Sequence, residues 1–221
     1  MMSHAGILRR PWQIRGWHLF LLLLFCEAGM TWYFQTQVLT RDVYHSLLGE
    51  QLEIERIDAL FDLFKRMSVW GYATLPLVLW LRIAFVAFLL QLPLVFRFID
   101  IRFTDLFRIV LMASLLLVLL ESSRLVHLSA IASGAITKAD LSWIPLSVTS
   151  MLDLAGKSSA IQGFFSHFNL FELGWLAIIY AGLMHTGKLK KVDAGLVVLL
   201  MWTIIVVFQW GAMMYLERMQ S

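Results

Sequence analysis

Residues 68–96 read SVWGYATLPLVLWLRIAFVAFLLQLPLVF, and this stretch decides the fold class. It exceeds the roughly 20 apolar residues with which a helix crosses a hydrocarbon core, and one cation, Arg82, is set inside it. A charge at that depth has to be paired, hydrated or carried to an interface, so it constrains how the neighbouring spans pack. The surplus length means that the helix tilts or that its first turns project from the bilayer. Pro76 and Pro93 allow kinks near its two ends.

The rest of the chain agrees in composition. Of 221 residues, 60% are hydrophobic and 15% charged, where soluble domains run nearer half and a quarter. Eighteen Lys and Arg against fifteen Asp and Glu leave +3, too little to hold nucleic acid, which is not expected as a partner. The single Cys26 excludes an intramolecular disulfide and a cysteine zinc cage. Arg9, Arg10 and Arg15 precede an apolar run with no small-x-small site behind it, so the first span is read as uncleaved and these arginines as its anchors.

Outward from residues 68–96, four further apolar runs complete the pattern, at 17–35, 106–128, 164–184 and 192–215. Between the first two spans, Val43, Leu47, Leu52, Ile57, Leu60, Phe61, Phe64 and Met67 are mostly three to five positions apart, among charges. That spacing predicts an amphipathic helix that lies on the membrane surface or packs on the spans and continues into the second span. Thr104-Asp105 reads as the start of the third span. The segment SWIPLSVTSMLDL is apolar but too short to cross, and is read as interfacial or re-entrant. The expected fold is therefore all-α: one polytopic membrane domain over 1–221, with five transmembrane helices and an amphipathic outer-loop helix.

Charge sets the orientation. With the N-terminus inside, Arg9, Arg10, Arg15, Arg97, Arg102, Arg108, Lys188, Lys190 and Lys191 all fall in three short inner stretches. Asp42, Glu50, Glu53, Glu55, Asp58 and Asp62 crowd the first outer loop. Cation density near short loops orients a chain, which predicts an integral protein of the cytoplasmic membrane with its C-terminus outside.

Intramembrane charges are the candidate site. Glu27 lies ten residues past Trp17 and Arg82 ten before Leu92, so each stands on the order of 15 Å from the same face. Glu27–Arg82 is then an ion pair joining the first two spans. If the second crossing instead runs over 74–96, Arg82 moves outward and Glu172 becomes its better partner. Glu121 and Arg124 are spaced to pair at the interface. Ala177 and Ala181, with Gly174 and Gly182 nearby, suit close approach of a neighbouring helix. His167 and His185 share a helix face, but their roughly 27 Å separation puts each at a wet edge, which argues against stacked haems. No metal or cofactor is expected. No HExxH, GxSxG, P-loop or dinucleotide turn is present, and the chain is read as non-enzymatic.

Pro145-Leu146-Ser147, then Asn169-Leu170-Phe171 opening a span and Gly182 near its end, resemble the Yip-domain integral membrane proteins. Phe103–Arg108 and the basic turn with Lys190-Lys191 add to the likeness, which covers about residues 96–216. The resemblance implies five spans with the N-terminus cytoplasmic. Eukaryotic members have a role in vesicle traffic and bind Rab-type GTPases through a longer cytoplasmic N-terminal region; the short form here looks more like the bacterial relatives, whose role the family does not define. The function expected here is a scaffold, working on the bilayer with membrane-protein partners or further copies of itself. The alternative is a small transporter or ion-coupled subunit using Glu27, Arg82 and Glu172.

Overall fold

The computed structural model describes residues 16–49, 52–131, 135–151 and 159–220. Arg9, Arg10, Arg15, Glu50 and residues 152–154 lie outside them. Within the described residues the chain is helical: α1 (Gly16–Tyr33), α2 (Arg41–Leu48), α3 (Ile54–Phe96), α4 (Phe103–Ala130), α5 (Lys138–Ser142), α6 (Val148–Met151), α7 (Ser159–Ser166), α8 (Leu170–His185) and α9 (Lys191–Gln220). A π-helical turn, Phe34–Val38, prolongs α1.

Four helices are long and apolar enough to cross a membrane: Gly16–Val38, Ile54–Phe96, Phe103–Ala130 and Lys191–Met219. The expected fourth span departs from this. In place of one helix over 164–184 the chain forms α7, a break at residues 167–169, and the 16-residue α8. At 1.5 Å per residue α8 is about 24 Å long, short of a roughly 30 Å hydrocarbon core.

The charged segment before the second span continues into it: residues 54–67 are the first turns of α3, whose 43 residues extend about 64 Å. Of their apolar residues Ile57 alone is buried, while Leu63, Phe64 and Met67 remain exposed. The separate helix is the shorter α2, held to α3 by Tyr44 against Phe61 and by Arg41 reaching Asp58 and Asp62. At α4 the N-cap is Arg102, with no side-chain cap, and Asp105 lies in the first turn. The start therefore falls slightly earlier than Thr104, the usual uncertainty of a helix boundary.

Packing follows the helical period. Leu79, Ile83, Ala87, Leu90 and Leu94 line one face of α3, and Ala194, Val197, Val198 and Met201 one face of α9. The core they form is centred on α4, which touches α1, α3 and α8, while α9 closes against α3 and α8. A Cβ on Gly174 would stand 2.5 Å from Leu116 Cδ2, so a larger residue there has to displace the end of that side chain, where α8 packs on α4. The buried face of α8 runs through Trp175, Ile179, Gly182 and Leu183. Gly174 stands at the edge of that face, with the exposed Ala177 and Ala181 beyond it.

The two ends are tied differently. At the basic end Arg97 pairs with Asp193, and Lys188 donates to the Asp100 carbonyl, joining the α3–α4 and α8–α9 turns. At the opposite end a second cluster of Val38, Val43, Leu128 and Ile136 seats the π-helical turn, α2 and α5 on the end of α4.

Candidate functional site

Leu19, Leu23 and Glu27 recur every four residues, so Glu27 continues the buried face of α1. Arg82 stands on α3 between the buried Leu79 and Ile83. Its side chain leans toward the N-terminal end of its helix, as helical side chains do, and Nη2 donates to Glu27 Oε1 at 2.6 Å. Of the two partners proposed for Arg82, the structure brings Glu27 to it. The pair is not sealed: the Arg82 side chain is 47% exposed and that of Glu27 23%.

Two cavities share this pair as a wall. One, of about 250 Å³, lies between α1 and α3 and runs past Gly71, Thr74 and Val78. The other, of about 330 Å³, reaches α4 and takes in Glu121 and Arg124. Arg124 donates to both Glu121 oxygens at 3.1 Å, and also to the Leu141 and Trp143 carbonyls at 2.8 and 3.2 Å. The interface pair thus also fastens α5 to α4. Two carboxylates and two guanidiniums face one cavity, so the cluster carries no net charge. Toward α2 a second polar rung crosses the same helices, Tyr72 donating to Gln35 Oε1 at 2.9 Å. The π-helical turn carries Gln35, and such turns are frequent at functional sites.

Glu172 is committed elsewhere. Its Oε1 accepts from Trp202 Nε1 at 2.9 Å, it lies 3.1 Å from His167 Nδ1, and its Oε2 accepts from Asn169 Nδ2 at 3.3 Å. Asn169 caps α8, its Oδ1 accepting the Glu172 N–H at 2.8 Å. Here the break between α7 and α8 is bridged by the Pro-Leu-Ser segment. Val148 N–H donates to the Phe168 carbonyl and Leu170 N–H to the Leu146 carbonyl, with Ser147 bridged to Asn169. Ser147 and Asn169 are 0% and 3% exposed. Counting from the basic turn, the break stands about 22 Å along α8, and Trp202 about 17 Å along α9. Non-helical backbone at such a level is tolerated only where protein buries it or a cavity is lined by it. Leu146, at the tip, takes a left-handed φ of 55°.

A sequence signal for this break existed. Asn169-x-x-Glu172 ahead of an apolar run is a capping-box pattern, which marks a helix start. Reading 164–184 as one span passed over it, along with His167 and Trp202 as partners of Glu172.

The histidines are engaged in other contacts. His127 stacks on Trp143 with centroids 4.0 Å apart, and His167 faces Glu172. Among the described residues no group of three His, Cys, Asp or Glu is placed to hold a metal ion. Outside the spans, the Thr137 hydroxyl and N–H hold the Asp140 carboxyl below the usual carboxylate range, and burial pushes the Tyr44 hydroxyl up. Comparison of the chain with protein-family models, curated proteins and solved structures gave no match.

Proposed function

We propose that this chain is a non-enzymatic membrane scaffold, and that the Glu27–Arg82 face is where a partner's membrane helix or a second copy docks. One observation carries the reading. Arg82 sits within an apolar helix, makes one side-chain hydrogen bond to Glu27, and leaves nearly half its surface uncovered. A half-covered ion pair inside a span is costly, and a partner helix laid over it lowers that cost by supplying hydrogen-bond acceptors and excluding lipid.

On this reading α7 and α8 together make a fifth, interrupted crossing, the N-terminus faces the cytoplasm of a bacterial cell, and the C-terminus lies outside. The inner cations support that orientation, as does the likeness to Yip-domain proteins. The test is purification from mild detergent beside Arg82→Leu. A co-purifying polypeptide, or a dimer, should accompany the parent and be lost from the variant while the variant's melting temperature stays measurable. Equal retention by both chains overturns the proposal.

Ion- or proton-coupled transport is the second reading, favoured by the interrupted span, since broken helices mark substrate sites in carriers. Glu27→Gln separates the two. It abolishes gradient-driven flux in proteoliposomes under the transport reading, and under the scaffold reading lowers stability alone.

A further inference from the structure

We propose that the groove between the π-helical turn, α2 and α3 is a binding site for an anionic phospholipid, adjoining the docking face at Arg82 at Gly71. The groove encloses about 600 Å³, within the 300–1,000 Å³ usual for small-molecule sites. Its walls are aromatic and apolar, with Trp32, Tyr44, Phe64 and Tyr72 among them. Tryptophan and tyrosine at this end of the spans form the belt expected at headgroup level, and the groove continues toward the bilayer past Gly71, beside which nothing lies within 4 Å of a Cβ position.

Two polar features select the ligand's charge. The lining includes Arg41 and Lys65 and no carboxylate. Arg41 is held by Asp58 at 3.4 Å and Asp62 at 3.5 Å, while Lys65 makes no ion pair among the described residues. The charge left to a ligand is therefore one ammonium at the rim. In the same lining, Thr40 Oγ1 is buried without a hydrogen-bond partner, and a hydroxyl so placed gains from a phosphate or ester oxygen. A phospholipid matches both: its phosphate sits between Lys65 and Thr40, and an acyl chain follows the aromatic wall into the bilayer.

Bromine on lipid chains quenches tryptophan only at contact, and the difference between the parent and Trp32→Phe isolates the Trp32 emission. The purified full chain is placed in phosphatidylcholine vesicles containing chain-brominated phosphatidylglycerol or, separately, chain-brominated phosphatidylcholine. Trp32 should reach half-quenching at about five-fold lower mole fraction of the anionic lipid, the worth of one surface cation. Lys65→Gln should remove the preference and Lys65→Arg should keep it. Equal quenching by the two lipids, or a preference that survives Lys65→Gln, overturns the proposal. Loss of the preference on adding millimolar inorganic phosphate at fixed ionic strength would assign the site to a free anion and overturn it as well.

Discussion

At the scale of single residues, stability rests on a few polar contacts held inside apolar surroundings. Removing one member of the Glu27–Arg82 pair leaves the other unpaired, and for partly buried charges that costs more than the pair is worth when intact. Arg82→Gln and Glu27→Gln should each lower the detergent melting temperature, and the swapped double variant Glu27→Arg/Arg82→Glu should recover most of the loss. No recovery would place the stabilisation outside the pair. Gly174→Leu should cost about 1–3 kcal/mol by overpacking Leu116, whereas Ala177→Leu, on the exposed side, should change stability by less than about 0.5 kcal/mol. Helix rise turns residue number into depth, which left both Glu27 and Glu172 within reach of Arg82 in the sequence; the structure places Glu27 there. Which small residue of α8 meets a neighbour was not legible in the sequence, because Gly174 and Ala181 lie only about 20° apart around the helix.

Elements show where local chemistry and span length compete. An apolar run of about 20 residues reads as one helix, yet residues 159–185 form two, because Asn169 offers its side chain to the Glu172 N–H and starts a new helix. Hydrophobicity carries the crossing signal and the cap carries the break. Asn169→Ala should cost about 1 kcal/mol as a lost cap, with a further loss from weakening the Glu172 network. Hydrogen exchange should show faster exchange over residues 168–173, leaving α4 unchanged. Leu146 holds its left-handed φ without glycine's freedom. Leu146→Gly should therefore leave stability unchanged or raise it by up to about 1 kcal/mol.

The α5 cap adds a pH dependence. Because the folded pKa of Asp140 is depressed by Thr137, its contribution is present above the unfolded pKa and is lost as pH falls through the folded value. Protection factors at residues 140–143, the segment that Arg124 grips, should fall on acidification below about pH 4. Thr137→Val should abolish that acid step and leave protection low at all pH values.

For the whole molecule, the membrane class followed from composition and span length, and the orientation expected from the inner cations still organises the proposed topology. What composition left open is the pair of clefts beside α1 and α3, one lined with charge and the other with aromatics. That shape depends on the π-helical turn and on α3 continuing about 30 Å beyond a hydrocarbon core, features that no short motif announces. The central claim is that a protein, and not lipid, covers the Glu27–Arg82 face. The most direct test is a photo-crosslinking side chain placed in native membranes at Val78, exposed beside the pair, and at Phe208, exposed on α9. The account predicts a discrete protein adduct at Val78, lost when Arg82→Leu is added, and lipid adducts alone at Phe208. Lipid adducts alone at both positions would contradict it.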